Sequence, residues 1–226
     1  MTATCGGFRR ARRPEQVEAR RVSIVDTAEV VLGERPIAAI SLRDLAGRVG
    51  LAKSNVLRYF DSREAIFLEV LDRRWTVWLD DLEPRLRDVP AEPIPYGRAI
   101  AVATTVARSL LTQPLLCELF SAMAGTLEHN ISAEYARDFK ARAAANTDRL
   151  GTLVRAEVPH LGADGAAHFA GAVVVITAGL WPYARPSAAV AQACAELGHP
   201  AADAVFPRAL TEGLVNQLIG LCVRIS

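Results

Sequence analysis

Apolar residues recur along most of this chain at the three- and four-residue spacing that lines one face of a helix. Pro14 suits the first position of a helix, where its missing N–H costs nothing, and Ile24, Ala28, Val31 and Leu32 then form a stripe that ends near Gly33. Leu42, Leu45, Ala46 and Val49 make a second, shorter stripe. Ser41 and Asp44 open it as a capping box, and Gly50 closes it where a left-handed residue is wanted. Leu51 plugs the turn, and a third helix follows over Lys53 to Phe60 with Val56 and Phe60 facing inward. Asp61 or Ser62 caps a fourth, whose apolar positions are Phe67, Val70, Leu71, Trp75, Trp78 and Leu79. Pro84, Pro90, Pro93 and Pro95 predict a loop over Leu82 to Tyr96, because proline breaks helix interiors. Helical spacing returns from Gly97 to Leu111, from Gln113 and Pro114 through Met123, and from Ser132 to Val158, where Pro159 stops it.

Two later stretches differ. Residues 164–181 and 206–222 are apolar nearly all round, and a helix apolar on two faces is buried on two faces. A chain of 226 residues has little with which to cover both, so a second copy supplies the missing surface. Phe169, Val173 and Ile176 on the first stretch, with Leu214, Leu218 and Ile219 on the last, are the expected dimer interface. A short helix is expected near Ser187 to Leu197 between them.

The length allows a small head and a larger body. The divisions are an N-terminal basic arm over residues 1–14, a three-helix unit over 15–62 and a helical body over 63–226, all-α throughout. At 51% hydrophobic and a net charge of +1, the composition is that of a globular protein. The charge is unevenly placed: residues 1–60 carry 11 Arg or Lys against 6 Asp or Glu, and the remainder carries 15 against 19. A positive end points to a polyanion. Arg9, Arg10, Arg12 and Arg13 in the leading tail form either a solvated leader or an arm that lies along a nucleic-acid backbone. Cys5, Cys117, Cys194 and Cys222 are too scattered for a zinc ribbon or a disulfide framework, which fits a reducing cytoplasm. The tail lacks the apolar core of a signal sequence. The longest apolar stretch, Ala166 to Trp181, stops at Pro182 short of a membrane span, so no membrane segment is expected.

The outward set on the second and third helices carries the chemistry. Arg43, Lys53 and Arg58 supply charge, Ser41, Ser54 and Tyr59 supply hydroxyls for phosphate oxygens, and Asn55 has the bidentate amide that pairs with adenine. Any solvated helix face can look like this. What favours DNA is the combination of a short first helix, a tight turn and a second helix whose polar N-terminal end is presented outward. Residues 15–75, with SLRDLAGRVGLAKSNVLRYF followed directly by DSREAIFLEVL, resemble the DNA-binding domain of the tetracycline-repressor (TetR) family of bacterial transcriptional regulators. The resemblance implies phosphate contacts by Ser41, Lys53 and Tyr59, and dimerisation through the last two long helices as a four-helix bundle. Ala52 stands where such proteins usually have a capping serine or threonine, and Leu57 where they often have an aromatic. Pro114 to Ser132 and AGLWP at Ala178 to Pro182 are similar to the C-terminal domain of an actinobacterial-type subgroup.

No G-x-S-x-G, P-loop or G-x-G-x-x-G occurs, and His129, His160, His168 and His199 have no metal-binding spacing, so neither catalysis, a metal nor a cofactor is expected. His168 reads as a core or interface histidine. Cys117, Phe120, Met123, Tyr135, Phe139 and Trp181, with Glu118 nearby, read either as plain core or as the lining of a pocket for a small hydrophobic effector, which the resemblance implies. The function expected is a homodimeric repressor released from a palindromic double-stranded operator by that effector. The rival is a helical interaction or ligand-binding module that has lost DNA recognition.

Overall fold

The computed structural model describes residues 14–90 and 92–225, which hold ten α-helices, three short 3-10 turns and no strand. The arginine-rich tail lies outside the described residues.

Four helices begin the chain: α1 (Pro14–Glu34), α2 (Leu42–Val49), α3 (Lys53–Val56) and α4 (Arg63–Arg87). Ser41 caps α2 in both directions, accepting from the Asp44 N–H at 3.1 Å while its own N–H donates to Asp44 Oδ2 at 2.8 Å. Gly50 ends the helix at φ 76°, a left-handed conformation that costs glycine nothing, and Leu51 N–H returns to the Ala46 carbonyl. The regular part of α3 is a single turn, shorter than the expected Lys53 to Phe60. Ala52 offers no side-chain cap, and beyond Val56 the chain tightens, with Arg58 N–H on the Asn55 carbonyl and Tyr59 N–H on that of Val56. Val56 and Phe60 are nevertheless buried as the spacing requires.

The expected loop at Leu82 is a correction. α4 runs through Pro84 to Arg87 because Leu79, Leu82 and Leu86 are buried on its inner face, while Pro84 sits on the solvent side, where water satisfies the carbonyl it orphans. The proline-rich loop is confined to residues 88–96. It folds back so tightly that a Cβ on Gly97 would lie 2.2 Å from the Glu92 carbonyl oxygen.

The body comprises α5 (Gly97–Leu111), α6 (Pro114–Met123), α7 (Ala133–Glu157), α8 (Gly162–Ala184), α9 (Ala188–Glu196) and α10 (Ala202–Ile225). α8 is its central element, packed against α6, α7 and α10; α10 also packs on α5, and α7 on α4. Pro159–Ala184 is longer than the expected Ala166–Trp181 stretch and contains an 18-residue window of mean hydropathy 1.4, which passes for a membrane span by length and composition alone. Its Phe169, Val173 and Thr177 are buried against the chain's own helices.

That packing also bears on the residues expected at a dimer interface. Phe169, Val173, Leu214 and Leu218 are fully buried inside the single chain, because α5, α6 and α7 cover the inner faces of α8 and α10. Only Ile176 and Ile219 are half-buried, and Val175 is 71% exposed. The apolar surface left open thus includes Val175 and, of the expected residues, Ile176 and Ile219.

Candidate nucleic-acid interface

The recognition surface is built on α3 and the residues around it. Val56 and Phe60 are anchored in the core, so Lys53, Ser54, Asn55 and Arg58 face solvent and Tyr59 is half-exposed. Neighbouring cations are neutralised: Arg35 by Asp44, Arg48 by Glu34 and Arg63 by the buried Glu64. Among the described residues Arg43, Lys53 and Arg58 have no such carboxylate. The positive potential is concentrated where a polyanion reaches it.

Ser41 is placed differently from the others. Its hydroxyl donates to Asp44 Oδ2 at 2.7 Å and accepts from the Asp44 N–H. The hydrogen bonds from the Ser41 side chain and backbone hold the Asp44 carboxyl below its ordinary value. The serine hydroxyl is therefore committed to the cap, and at this end of α2 the exposed Arg43 supplies the available charge.

α1 adds residues that the sequence reading missed. Gln16, Arg20 and Ser23 share a groove of about 450 Å³ with Leu51, Asn55 and Tyr59, and Arg20 is exposed with no ion-pair partner among the described residues. No local motif marks them, since only the tertiary fold, in which α1 packs on α2 and α4, brings them to one groove with Asn55. Arg21 works inward instead: its Nη1 donates to the Tyr59 carbonyl at 2.6 Å and its guanidinium lies 4.4 Å from the centre of the Phe60 ring.

The residue after that ring is tied to the body. Asp61 accepts from the Ser132 hydroxyl at 2.6 Å, at the start of α7. Tyr135 on α7 donates toward the Ala65 carbonyl and Glu69, and Arg142 forks onto Glu69 with two bonds of 3.1 Å. Burial pushes the Glu69 carboxyl up, but the bonds and charge of Arg142 outweigh it and the net shift is downward. Burial raises Asp72, held by the same guanidinium, and it raises the Tyr135 phenol as well.

The six residues expected to line an effector pocket do not converge. Cys117, Phe120 and Phe139 are fully buried, with Phe120 edge-on to Trp75 at 4.7 Å, which is core packing. Tyr135 lines the cleft between head and α7, half-buried Met123 packs against the core, and Trp181 lies against Phe206 at 5.2 Å. No group of three or more His, Cys, Asp or Glu suited to a metal occurs among the described residues.

Residues 24–70 match the family model for bacterial regulatory proteins of the tetR family, and residues 72–225 match that for the tetracyclin repressor-like C-terminal domain. The chain belongs to the TetR family. The two matches meet inside α4, the helix shared by head and body. This TetR-family chain is 43% identical over 65 residues to the HTH-type transcriptional regulator EthR of Mycobacterium tuberculosis, a match covering 29% of the chain and 30% of that protein. It is 32% identical over 72 residues to the HTH-type transcriptional repressor KstR2 of Rhodococcus jostii, covering 32% of the chain and 33% of the relative. The chain thus spans about a third of the length of these curated relatives. Its fold is shared with a TetR/AcrR-family regulator from Thermobifida fusca (22% identity, TM-score 0.50, 88% and 97% of the two chains covered). A putative transcriptional regulator from Pseudomonas aeruginosa PAO1 has the same fold (14% identity, TM-score 0.51, 96% and 97% covered).

Proposed function

We propose that this protein is a DNA-binding transcriptional regulator that acts in the bacterial cytoplasm as a two-fold homodimer, repressing from a palindromic operator. The observation that carries this reading is the set of exposed cations without a carboxylate partner among the described residues, Arg20, Arg43, Lys53 and Arg58, beside the exposed amide of Asn55, while Arg35, Arg48 and Arg63 nearby are neutralised. Cations of this kind bind phosphates, and an amide at the end of a short recognition helix reads a base edge. Selection from a randomised duplex pool, followed by titration in rising salt, tests it. Affinity should fall with a log–log slope of about −0.9 per phosphate neutralised. Failure to enrich any duplex, or binding indifferent to salt, sinks the reading.

Dimerisation is supported by the open apolar strip on α8 and α10, where Val175, Ile176 and Ile219 remain uncovered or half-covered. Relatives named as regulators and a repressor support the regulatory role.

Release by a small hydrophobic effector belongs to the same proposal. Trp75 Nε1 and Thr177 Oγ1 are buried without a hydrogen-bond partner on helices that flank α6, and such groups are costly to leave unpaired. A mostly apolar ligand bearing an acceptor would satisfy them if Phe120 moved aside. It releases DNA only through differential affinity for a head spacing that misfits the half-sites. Thermal-shift screening of small hydrophobic compounds, with each hit retested on the operator, is the measurement. Compounds that raise Tm but leave operator affinity unchanged would count against the switch.

A further inference from the structure

A second cavity, of about 480 Å³, lies where the head meets the body and shares no residue with α3. Pro36 and Ile37 of the α1–α2 connection form one wall, Glu118 and Ala122 of α6 another, and Trp181 and Arg185 at the end of α8 the third. The lining is mainly apolar, and its volume falls in the range of small-molecule sites.

The chain already places one of its own cations there. The Arg185 guanidinium carbon lies 5.1 Å from the centre of the Trp181 ring, and Arg185 Nη1 lies 3.6 Å from the Glu118 carboxylate. The two receiving groups are fixed: Trp181 is 8% exposed and held edge-on by Phe206, and the Glu118 side chain is 20% exposed. The occupant is loose, since the Arg185 side chain is 61% exposed and stands beyond direct hydrogen-bonding distance of the carboxylate. An aromatic face beside a shielded carboxylate attracts a cation, more strongly as water is excluded. Arg185 reaches in from the rim and brings no apolar body to fill the space.

We propose that this groove is a binding site for a small organic ammonium cation with an apolar body, for which Arg185 is the internal stand-in and competitor. The ligand's charge sits between Trp181 and Glu118, and its apolar part lies against Ile37 and Ala122. The site is separate from a ligand pocket in the body core. Its head-side wall is the segment that delivers the chain into α2, so an occupant touches the DNA-binding unit directly.

The test uses three probes of one skeleton and different charge: phenylbutylamine, phenylbutanol and phenylbutyrate. Binding to the full-length protein without DNA is followed at neutral pH by calorimetry and tryptophan fluorescence, with the fold of each variant checked by thermal unfolding. The amine should bind about tenfold more tightly than the alcohol, the carboxylate weakest of all. Glu118→Gln should remove that preference, and Trp181→Phe should weaken the amine. Arg185→Ala should tighten the amine several-fold, because the competitor is gone. A merely structural ion pair would leave amine affinity unchanged in both charge variants. Thr177→Val, in the body core, should leave all three affinities alone, which separates this site from the core pocket of the effector reading. The proposal is overturned if the alcohol binds as tightly as the amine, if Arg185→Ala weakens the amine, or if the carboxylate binds best and loses its affinity with Arg185.

Discussion

The proposed function gives Asn55 and the cations around it separable roles that substitution distinguishes. Asn55→Ala removes the exposed amide proposed to read a base and should relax preference at one position of each half-site, at a cost of about 1–3 kcal/mol, measured by competition between single-base operator variants. Lys53→Ala and Arg20→Ala should weaken all duplexes alike and each lower the salt slope by about 1, the mark of a lost phosphate contact. Arg20 is the sharper case, because only the tertiary fold puts it in one groove with Asn55. Ser41→Ala should act on stability first, costing about 1 kcal/mol through the lost cap, since the hydroxyl is engaged by Asp44. Cys117 is buried and its thiol is pushed up to about 12 by desolvation. It should resist alkylation in mildly alkaline buffer until the protein is unfolded, whereas half-exposed Cys194 should react, as mass spectrometry of the labelled chain would show.

Among the elements, α4 and α7 carry the connection between head and body. Glu69 on α4 is bonded by Tyr135 and Arg142 from α7, and its side chain is 25% exposed. Glu69→Gln leaves the guanidinium with a weaker partner and should cost about 1–3 kcal/mol. The pH dependence has a definite sign. The folded-state carboxyl lies below its reference value of 4.5, so its contribution is complete above that value and is lost as pH falls through the lower folded pKa. Asp72 is raised by burial and contributes in the opposite sense, favouring the folded state as it protonates. Urea unfolding across roughly pH 3 to 7 should therefore show an acid-side loss that Glu69→Gln flattens and Asp72→Asn steepens. The tie from Asp61 to Ser132 gives a second reading of the same connection, since removing it frees the end of the α3 turn from α7.

For the whole molecule, the surface proposed to pair two copies is distinct from the surface buried within one. Val175 is 71% exposed on α8, whereas Leu218 on α10 is fully buried. Val175→Asp should leave a folded monomer near 24.4 kDa by light scattering, where the parent gives twice that mass, and should abolish operator binding without approaching DNA. Ile219→Asp should weaken the pair as well. Leu218→Asp buries a charge in the chain's own core and should prevent folding. If Val175→Asp remained dimeric, the pairing surface would lie elsewhere.

Local chemistry was legible in the sequence. The capping box at Ser41, the left-handed Gly50, the anchors Val56 and Phe60 and the outward set from Lys53 to Arg58 are decided within a few residues of one another, so spacing alone placed them. The all-α fold followed for the same reason, from apolar stripes within single helices. Tertiary packing decided the rest. It carried α4 through Pro84 because three inward leucines outweigh one missing hydrogen bond on a wet face. It placed Phe169, Val173, Leu214 and Leu218 inside a single chain, because which side of a doubly apolar helix meets a neighbour depends on where α5, α6 and α7 lie. It scattered the six aromatic and sulfur residues expected to share a pocket, and it brought Arg20 to Asn55 and Arg185 to Trp181 and Glu118. Periodicity reports that a side chain is turned inward; which side chains meet there depends on helix crossings that are set by the whole core.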